Sequence, residues 1–370
     1  MAAPQMKPWI AEIAAYVPGR SGEAGRRTVK LSSNENPLGP SPKALEALRE
    51  GAANAHRYPD AACHDLRAKI ADVHGLEADR IVCGTGSDEL LQLLALAYAG
   101  PGDEVIHMRY GFMVYPIAAR RAGAVPVPVE DTDYTADVDA ILAAVTERTR
   151  LVYVANPNNP TGTMISADEV RRLHAGLPEY VLLVLDAAYA EFLGEDADYE
   201  DGIAMAREHA NVVTTRTFSK IYGLAAARVG WAYGPPAVID ALNRIRGPFN
   251  VTSEGQAGAI AALGDQAWVD KCRETNDVQR ARLVAAVEAL GNHGLRAVPS
   301  AANFVLVTFP RGGALTAEAA NEYLTARGIL VRWLPQMGLG HALRIGVGTE
   351  EETGELIEAV QTFVSESAGG

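Results

Sequence analysis

The 370-residue sequence predicts an α/β protein with a large domain on a mostly parallel central sheet flanked by helices, followed by a smaller α+β C-terminal domain. Three observations carry this expectation. Between residues 62 and about 250, short β-rich apolar runs alternate with helix-period stretches, the pattern of strands joined by crossover helices. After about residue 250 the pattern changes to one long helical stretch, then mixed strands and helices. The length itself exceeds the size at which one hydrophobic core usually stops growing, so two packed units are expected.

In chain order, residues 1–35 contain the turn-rich string VPGRSG and read as an irregular N-terminal arm. Residues 36–250 form the expected large domain. Its strands are placed at 80–83, 104–108, 125–129, 151–155, 181–185, 212–215 and 229–233, with helices at 89–99, 136–145 and 168–175 between them. Residues 251–370 form the expected small domain, packed with part of the arm. A helix is placed over 265–290, strands at 304–307, 330–332 and 342–347, and helices at 315–327 and 350–367.

Composition narrows the function classes. A formal charge of −13, from 33 basic and 46 acidic residues, argues against nucleic-acid and anionic-membrane partners. It leaves room for a small anionic substrate, because a few arginines in a cleft outweigh a distant acidic surface. Cys63, Cys83 and Cys272 have no zinc-type or CxxC spacing, and this sparse, odd count suits a reducing cytoplasm. The start MAAPQMKPWI lacks a signal-peptide core, and no apolar run reaches membrane-spanning length, so a cytoplasmic location is expected. The eight histidines are scattered without an HExxH pair, and the acidic run 195–201 lacks a calcium-loop pattern, so no metal is expected.

Four motifs each follow an expected strand, which places them on the rim where open parallel sheets bind ligands. Gly84-Thr85-Gly86-Ser87-Asp88-Glu89 joins a strand to a helix, and its glycines and free helix N–H groups suit a phosphate. It also reads as a plain strand–helix turn, and the third glycine of a dinucleotide fingerprint is missing. Asn156-Pro157-Asn158-Asn159-Pro160-Thr161-Gly162 is a rigid strand-exit loop in which Asn159 offers an amide to a phenolate-like oxygen, although Asn, Pro and Gly are also what ordinary turns use. Asp186 follows an apolar run and needs a cationic partner such as a protonated pyridine nitrogen, unless it caps the next helix. In Thr217-Phe218-Ser219-Lys220, the lysine suits a Schiff base with an aldehyde cofactor, and Thr217, Ser219 and Arg228 suit that cofactor's phosphate. Taken singly, Lys220 also reads as a surface lysine. Together the four supply what a protein contributes to pyridoxal-phosphate chemistry.

On these motifs the sequence resembles the fold-type I aminotransferases, and within them the histidinol-phosphate aminotransferase family, over nearly the whole chain. Asn34-Glu35-Asn36-Pro37, Arg57-Tyr58-Pro59, NPNNPTG at 156–162, RTFSKIYGLA at 216–225, Arg246-Gly247-Pro248-Phe249-Asn250-Val251 and LRIGVGT at 343–349 all match. The resemblance implies pyridoxal 5′-phosphate as cofactor, with Lys220 as the Schiff-base lysine and Asp186 on the pyridine nitrogen. It implies Asn159 and Tyr189 on the 3′-oxygen and Phe112 stacked on the ring. The phosphate would be held by the amides of Ser87 and Asp88 with Thr217, Ser219 and Arg228. Tyr58 would reach that phosphate from the neighbouring subunit, implying a homodimer with shared active sites. Arg344 would bind glutamate's α-carboxylate, and Tyr16, Asn34 and Arg332 would surround the substrate's phosphate end. Three positions depart from the family pattern: Ala187, Ala227 and Ala301 stand where larger polar residues are common.

The implied reaction transfers an amino group from a small-molecule donor to a 2-oxo acid, with Lys220 moving the proton as general acid/base. L-Histidinol phosphate with 2-oxoglutarate, in histidine biosynthesis, is the first expectation. The alternatives are an aromatic amino-acid aminotransferase, a PLP decarboxylase of an amino-acid phosphate, and a non-enzymatic PLP-binding regulator.

Overall fold

The computed structural model describes residues 4–13, 25, 27–194 and 196–368. A two-residue strand, Val29–Lys30 (β1), precedes the strands of a large sheet. These are Ile81–Gly84 (β2), Glu104–Met108 (β3), Val125–Val129 (β4), Thr149–Ala155 (β5), Leu182–Asp186 (β6), Val212–Thr217 (β7) and Gly230–Tyr233 (β8). Further on come Arg296–Ala297 (β9), Phe304–Thr308 (β10), Ile329–Leu330 (β11), Arg332–Leu334 (β12) and Leu339–Gly346 (β13). The large sheet has the order β2-β8-β7-β6-β5-β3-β4, and only β8 runs against its neighbours. The fold class expected from the sequence is therefore the observed one.

The central strands are apolar on both faces because both are covered. On one face Val105, Leu151, Tyr153, Leu182, Val184 and Val213 pack with the helices Ser87–Tyr98 and Pro236–Ile245. The alternate residues Ile106, Val152, Val154, Leu183, Leu185 and Val212 enter a second core with helices His64–His74 and Ala167–Gly176. Strand periodicity of two thus feeds two cores at once. The helix Ser253–Leu263 packs on Pro42–Ala52, and glycines make the approach close. A Cβ on Gly51 would sit 2.7 Å from Glu254 Cα, and one on Gly258 would sit 2.8 Å from Leu48.

Beyond these helices β10 and β13 pair antiparallel, flanked by β9 and β12, and one face packs on Gln266–Glu288, Ala317–Ala326 and Glu350–Ala368. The strand expected at 330–332 divides in two. Residues 329–330 pair in parallel with β1 of the N-terminal segment, whereas 332–334 pair with β13, so the chain changes sheets at Val331. The helix expected over 136–145 is shorter, Val138–Ala143, because the Asp137 side chain accepts from Ala140 N and caps it there. No helix of the described residues is long and apolar enough to cross a membrane.

One ionic group lies inside the large unit. Arg216 on β7 is only 4% exposed, and its guanidinium meets Glu191 at 2.9 Å and Asp201 at 2.5 Å. Removing the cation leaves two poorly solvated carboxylates facing each other. Arg216→Met should therefore destabilise the protein by about 3–5 kcal/mol, read as a lower midpoint in urea unfolding.

Candidate active site

The carboxyl ends of β5, β6 and β7 lie side by side, and the segments leaving them wall a cavity of about 390 Å³. Ser87, Asp88, Phe112, Asn159, Asp186, Tyr189, Thr217, Ser219, Lys220 and Arg228 all line it. A second hollow of about 180 Å³ opens beside it, sharing Phe112, Asn159 and Lys220 and adding Asn34, Arg332 and Arg344. Of the expected site residues that the structure describes, one lies elsewhere. Tyr58 is 82% exposed and stacks on Phe249, with ring centroids 4.5 Å apart, outside both cavities. Tyr16 lies outside the described residues.

One end of the cavity is built for an anion. Gly86 takes φ +81°, and a Cβ there would collide with Asp88 and Arg228, so only glycine fits the entry to helix Ser87–Tyr98. The helix start presents free N–H groups and positive dipole charge. Arg228 faces it, its Nη1 donating to Ser219 Oγ at 3.1 Å and its Nη2 to Asp88 Oδ1 at 2.9 Å. Glu89, outside the expected set, shapes this turn by accepting from Thr85 N at 2.5 Å and Asn250 Nδ2 at 2.9 Å.

On the opposite wall Asp186 ends β6. It accepts from Tyr115 Oη at 2.8 Å and from Thr215 Oγ1 at 3.3 Å. Burial pushes its carboxyl up to about 6, against the lowering effect of those hydrogen bonds and of Lys220. Lys220, three residues past β7, lies over the Tyr189 ring at 5.7 Å. Burial, with Arg344 nearby, lowers its ammonium to about 8, so a neutral amine is accessible near neutrality. Tyr189 is pushed up to about 12, chiefly by burial, and its Oη accepts from Asn34 Nδ2 at 3.1 Å.

Arg344 and Arg332 are register partners on β13 and β12, which places them side by side. Arg344 donates to Asn159 Oδ1 at 2.6 Å and to Ser32 O at 2.7 Å, joining the strand-exit loop to the N-terminal segment. The site therefore combines an anion cradle, a nucleophilic amine, a buried carboxylate and two further cations. Among the described residues no group of three or more His, Cys, Asp or Glu is gathered as for a metal ion. Sequence reasoning did not single out Tyr115 or Thr215 as donors to Asp186. Tyr115 lies in the first turn of the helix Val114–Ala122, and Thr215 is the register partner of Asp186 on β7.

Fold and site together define a member of the fold-type I α/β transferases. The chain belongs to the class I and II aminotransferases, whose family model, "Aminotransferase class I and II", matches residues 26–360. Curated relatives include the histidinol-phosphate aminotransferases of Erythrobacter litoralis, 58% identical over 96% of each chain, and of Sphingopyxis alaskensis, 56% identical over 97% of each. Among solved structures, the Sinorhizobium meliloti histidinol-phosphate aminotransferase in complex with pyridoxal-5′-phosphate superposes with a TM-score of 0.88 at 32% identity, covering 99% of each chain. A Thermus thermophilus aspartate aminotransferase variant gives 0.82 at 25% identity, covering 98% of this chain and 99% of that one.

The raised Asp186 value fixes a sign. A carboxyl at about 6 in the folded chain against an ordinary 3.8 binds more protons folded than unfolded between those values. Its contribution to stability is complete below about 3.8 and is lost as pH rises through 6. At ~1.4 kcal/mol per pH unit, the cost above pH 6 is about 3 kcal/mol. Asp186→Asn should make the cofactor-free protein about 1–3 kcal/mol more stable at pH 8, with a smaller difference at pH 4.5, as measured by urea unfolding at the two pH values.

Proposed function

We propose that this chain is a pyridoxal-phosphate-dependent aminotransferase that passes the amino group of L-histidinol phosphate to 2-oxoglutarate. The products are imidazole-acetol phosphate and L-glutamate, and the step belongs to histidine biosynthesis. The observation that carries the chemistry is the placement of Lys220, Asp186 and Arg228 on the walls of one cavity. The substrate reading is supported by relatives at 56–58% identity that are histidinol-phosphate aminotransferases.

The residues present fit the cofactor. A buried carboxylate at about 6 is relieved by a cationic ring nitrogen, which Asp186 would keep protonated. The start of the helix Ser87–Tyr98, through Ser87 and Asp88, would hold the phosphate with Thr217, Ser219 and Arg228. Phe112 would cover the ring, and Asn159 and Tyr189 would bind its 3′-oxygen. Because Tyr189 Oη accepts from Asn34, its own hydrogen is free to be donated. When bound, pyridoxal phosphate supplies the electron sink for cleavage of the donor's Cα–H bond. Lys220, neutral for part of the time near pH 8, takes that proton and returns it as general acid/base.

Arg344 would bind the α-carboxylate of glutamate and 2-oxoglutarate, while Arg332, Asn34 and Tyr16 would surround the donor's phosphate. We assign residues 1–35 to an arm, 36–250 to the cofactor-binding domain and 251–370 to the small domain, with helix Ser253–Leu263 at their seam. The functional unit is a homodimer in which the exposed Tyr58 of each subunit reaches the other's phosphate cradle. A cytoplasmic location agrees with three buried, unpaired cysteines.

Lys220→Ala should abolish turnover and the visible absorbance of the bound cofactor; normal turnover would end the assignment. Steady-state comparison of histidinol phosphate, phenylalanine and tyrosine with 2-oxoglutarate should place histidinol phosphate first in kcat/KM. Arg344 serves both half-reactions, because histidinol phosphate carries a phosphate ester where glutamate carries its α-carboxylate and Arg332 stands beside Arg344. Arg344→Met should lower kcat/KM for 2-oxoglutarate and for histidinol phosphate alike, by on the order of 10- to 100-fold.

A further inference from the structure

Three segments distant in sequence meet behind the cavity: residues 31–36, the strand-exit loop 156–162, and the turn 300–303 that leads into β10. The turn holds the other two. Ala301 N donates to Gly162 O at 2.8 Å, while Ser300 Oγ closes the turn by donating to Phe304 O at 2.5 Å. Asn303, 1% exposed, faces the first segment. Its Nδ2 lies 3.1 Å from Asn34 O and 3.4 Å from Glu35 O, and its own carbonyl accepts from Val347 N at 2.9 Å. Two carbonyl oxygens accept only from an N–H, so the orientation of this amide is fixed.

What Asn303 grips is a residue in an unfavourable conformation. Asn34 takes φ +54°, the left-handed region, and is 2% exposed. Asn enters this region more readily than other non-glycine residues, and here burial and the bond from Asn303 to its backbone carbonyl hold it there. In that conformation its side-chain Nδ2 reaches Tyr189 Oη. Turned to ordinary β or α backbone, the same side chain would leave the site wall.

We propose that Asn303 is a positioning residue that locks Asn34 in its left-handed conformation, so that Asn34 donates to Tyr189 and directs the Tyr189 hydroxyl hydrogen at the bound cofactor. Asn303 touches neither cavity and acts only through Asn34. The proposal rests on the aminotransferase reading above. It gives the turn a role beyond joining β10 to the N-terminal segment, since packing alone would account for lost stability but not for an altered cofactor.

The test is a double-mutant cycle on the holoenzyme with Asn34→Ala, Asn303→Ala and the pair. One readout is kcat/KM for histidinol phosphate; the other is the midpoint of the pH titration of the bound cofactor's visible absorbance. A hydrogen bond donated to an anionic oxygen favours the deprotonated chromophore, so its loss moves the midpoint upward. Each single variant should lower kcat/KM about tenfold and raise the midpoint by roughly 0.5–1 pH unit. The double variant should match Asn34→Ala in both readouts, since Asn303 acts only through Asn34. Multiplying effects, or an unshifted midpoint in Asn303→Ala, would overturn the proposal. Should that variant fail to fold, Asn303→Ser enters the same cycle and is judged by the same outcomes. Wild-type protein with neither absorbance nor turnover would instead remove the aminotransferase reading, and this proposal with it.

Discussion

Asp186 and Lys220 are each disfavoured in their charged forms where the fold puts them, and much of the site exists to hold them there. Asp186 ends a strand whose other four residues are buried, so its carboxyl cannot turn to water. Tyr115 and Thr215 compensate in part, from a helix and from the neighbouring strand β7. Lys220 is held three residues past β7, close to the guanidinium of Arg344, which adds to its loss of charge. Near pH 7 both groups are charged and both oppose folding of the empty protein. A ligand with a cationic ring nitrogen and an aldehyde would relieve both at once and so couple binding to stability.

The same constraint explains how the remote segments are used. A cleft with a buried carboxylate needs walls that exclude water, and the large sheet supplies only one side. The other side comes from β12, β13 and residues 31–36, which are tied together by backbone bonds such as Gly346 N to Leu31 O at 2.8 Å. Arg344 crosses the divide to Asn159 and Ser32. Each of these contacts closes a long loop, an entropic cost that grows slowly with loop length and is offset by burial on both sheets.

Much of this was legible in the sequence because the large sheet is buried on both faces. Most of its strands show as apolar runs, and a polar residue at the end of such a run, as Asp186 is after LLVL, shows as an exception. Motifs that leave neighbouring parallel strands converge by topology alone, so the rim was legible as well. Tertiary pairing was not. Residues 329–334 show one β-rich stretch, and only the partners β1 and β13 reveal that it serves two sheets. Asn303 reads as one polar residue before a strand, and its value depends on the carbonyls of Asn34 and Glu35, some 270 residues away. Tyr58 matched a family motif, yet its exposed ring stacks on Phe249 outside both cavities.

Net charge illustrates where whole-chain numbers lose their grip. The chain carries −13, yet the cleft gathers Lys220, Arg228, Arg332 and Arg344 around a volume suited to phosphates and carboxylates. Surface charges farther than a Debye length of about 8 Å are largely screened at physiological ionic strength. Charges a few ångströms from a ligand, in a half-buried cleft, act through a lower effective dielectric and are felt several-fold more strongly. Asp88 belongs to this cleft too, and by pairing with Arg228 it keeps the empty cradle from holding an uncompensated cation. The acidic surface and the basic site thus answer to separate requirements, solubility for the one and anion recognition for the other.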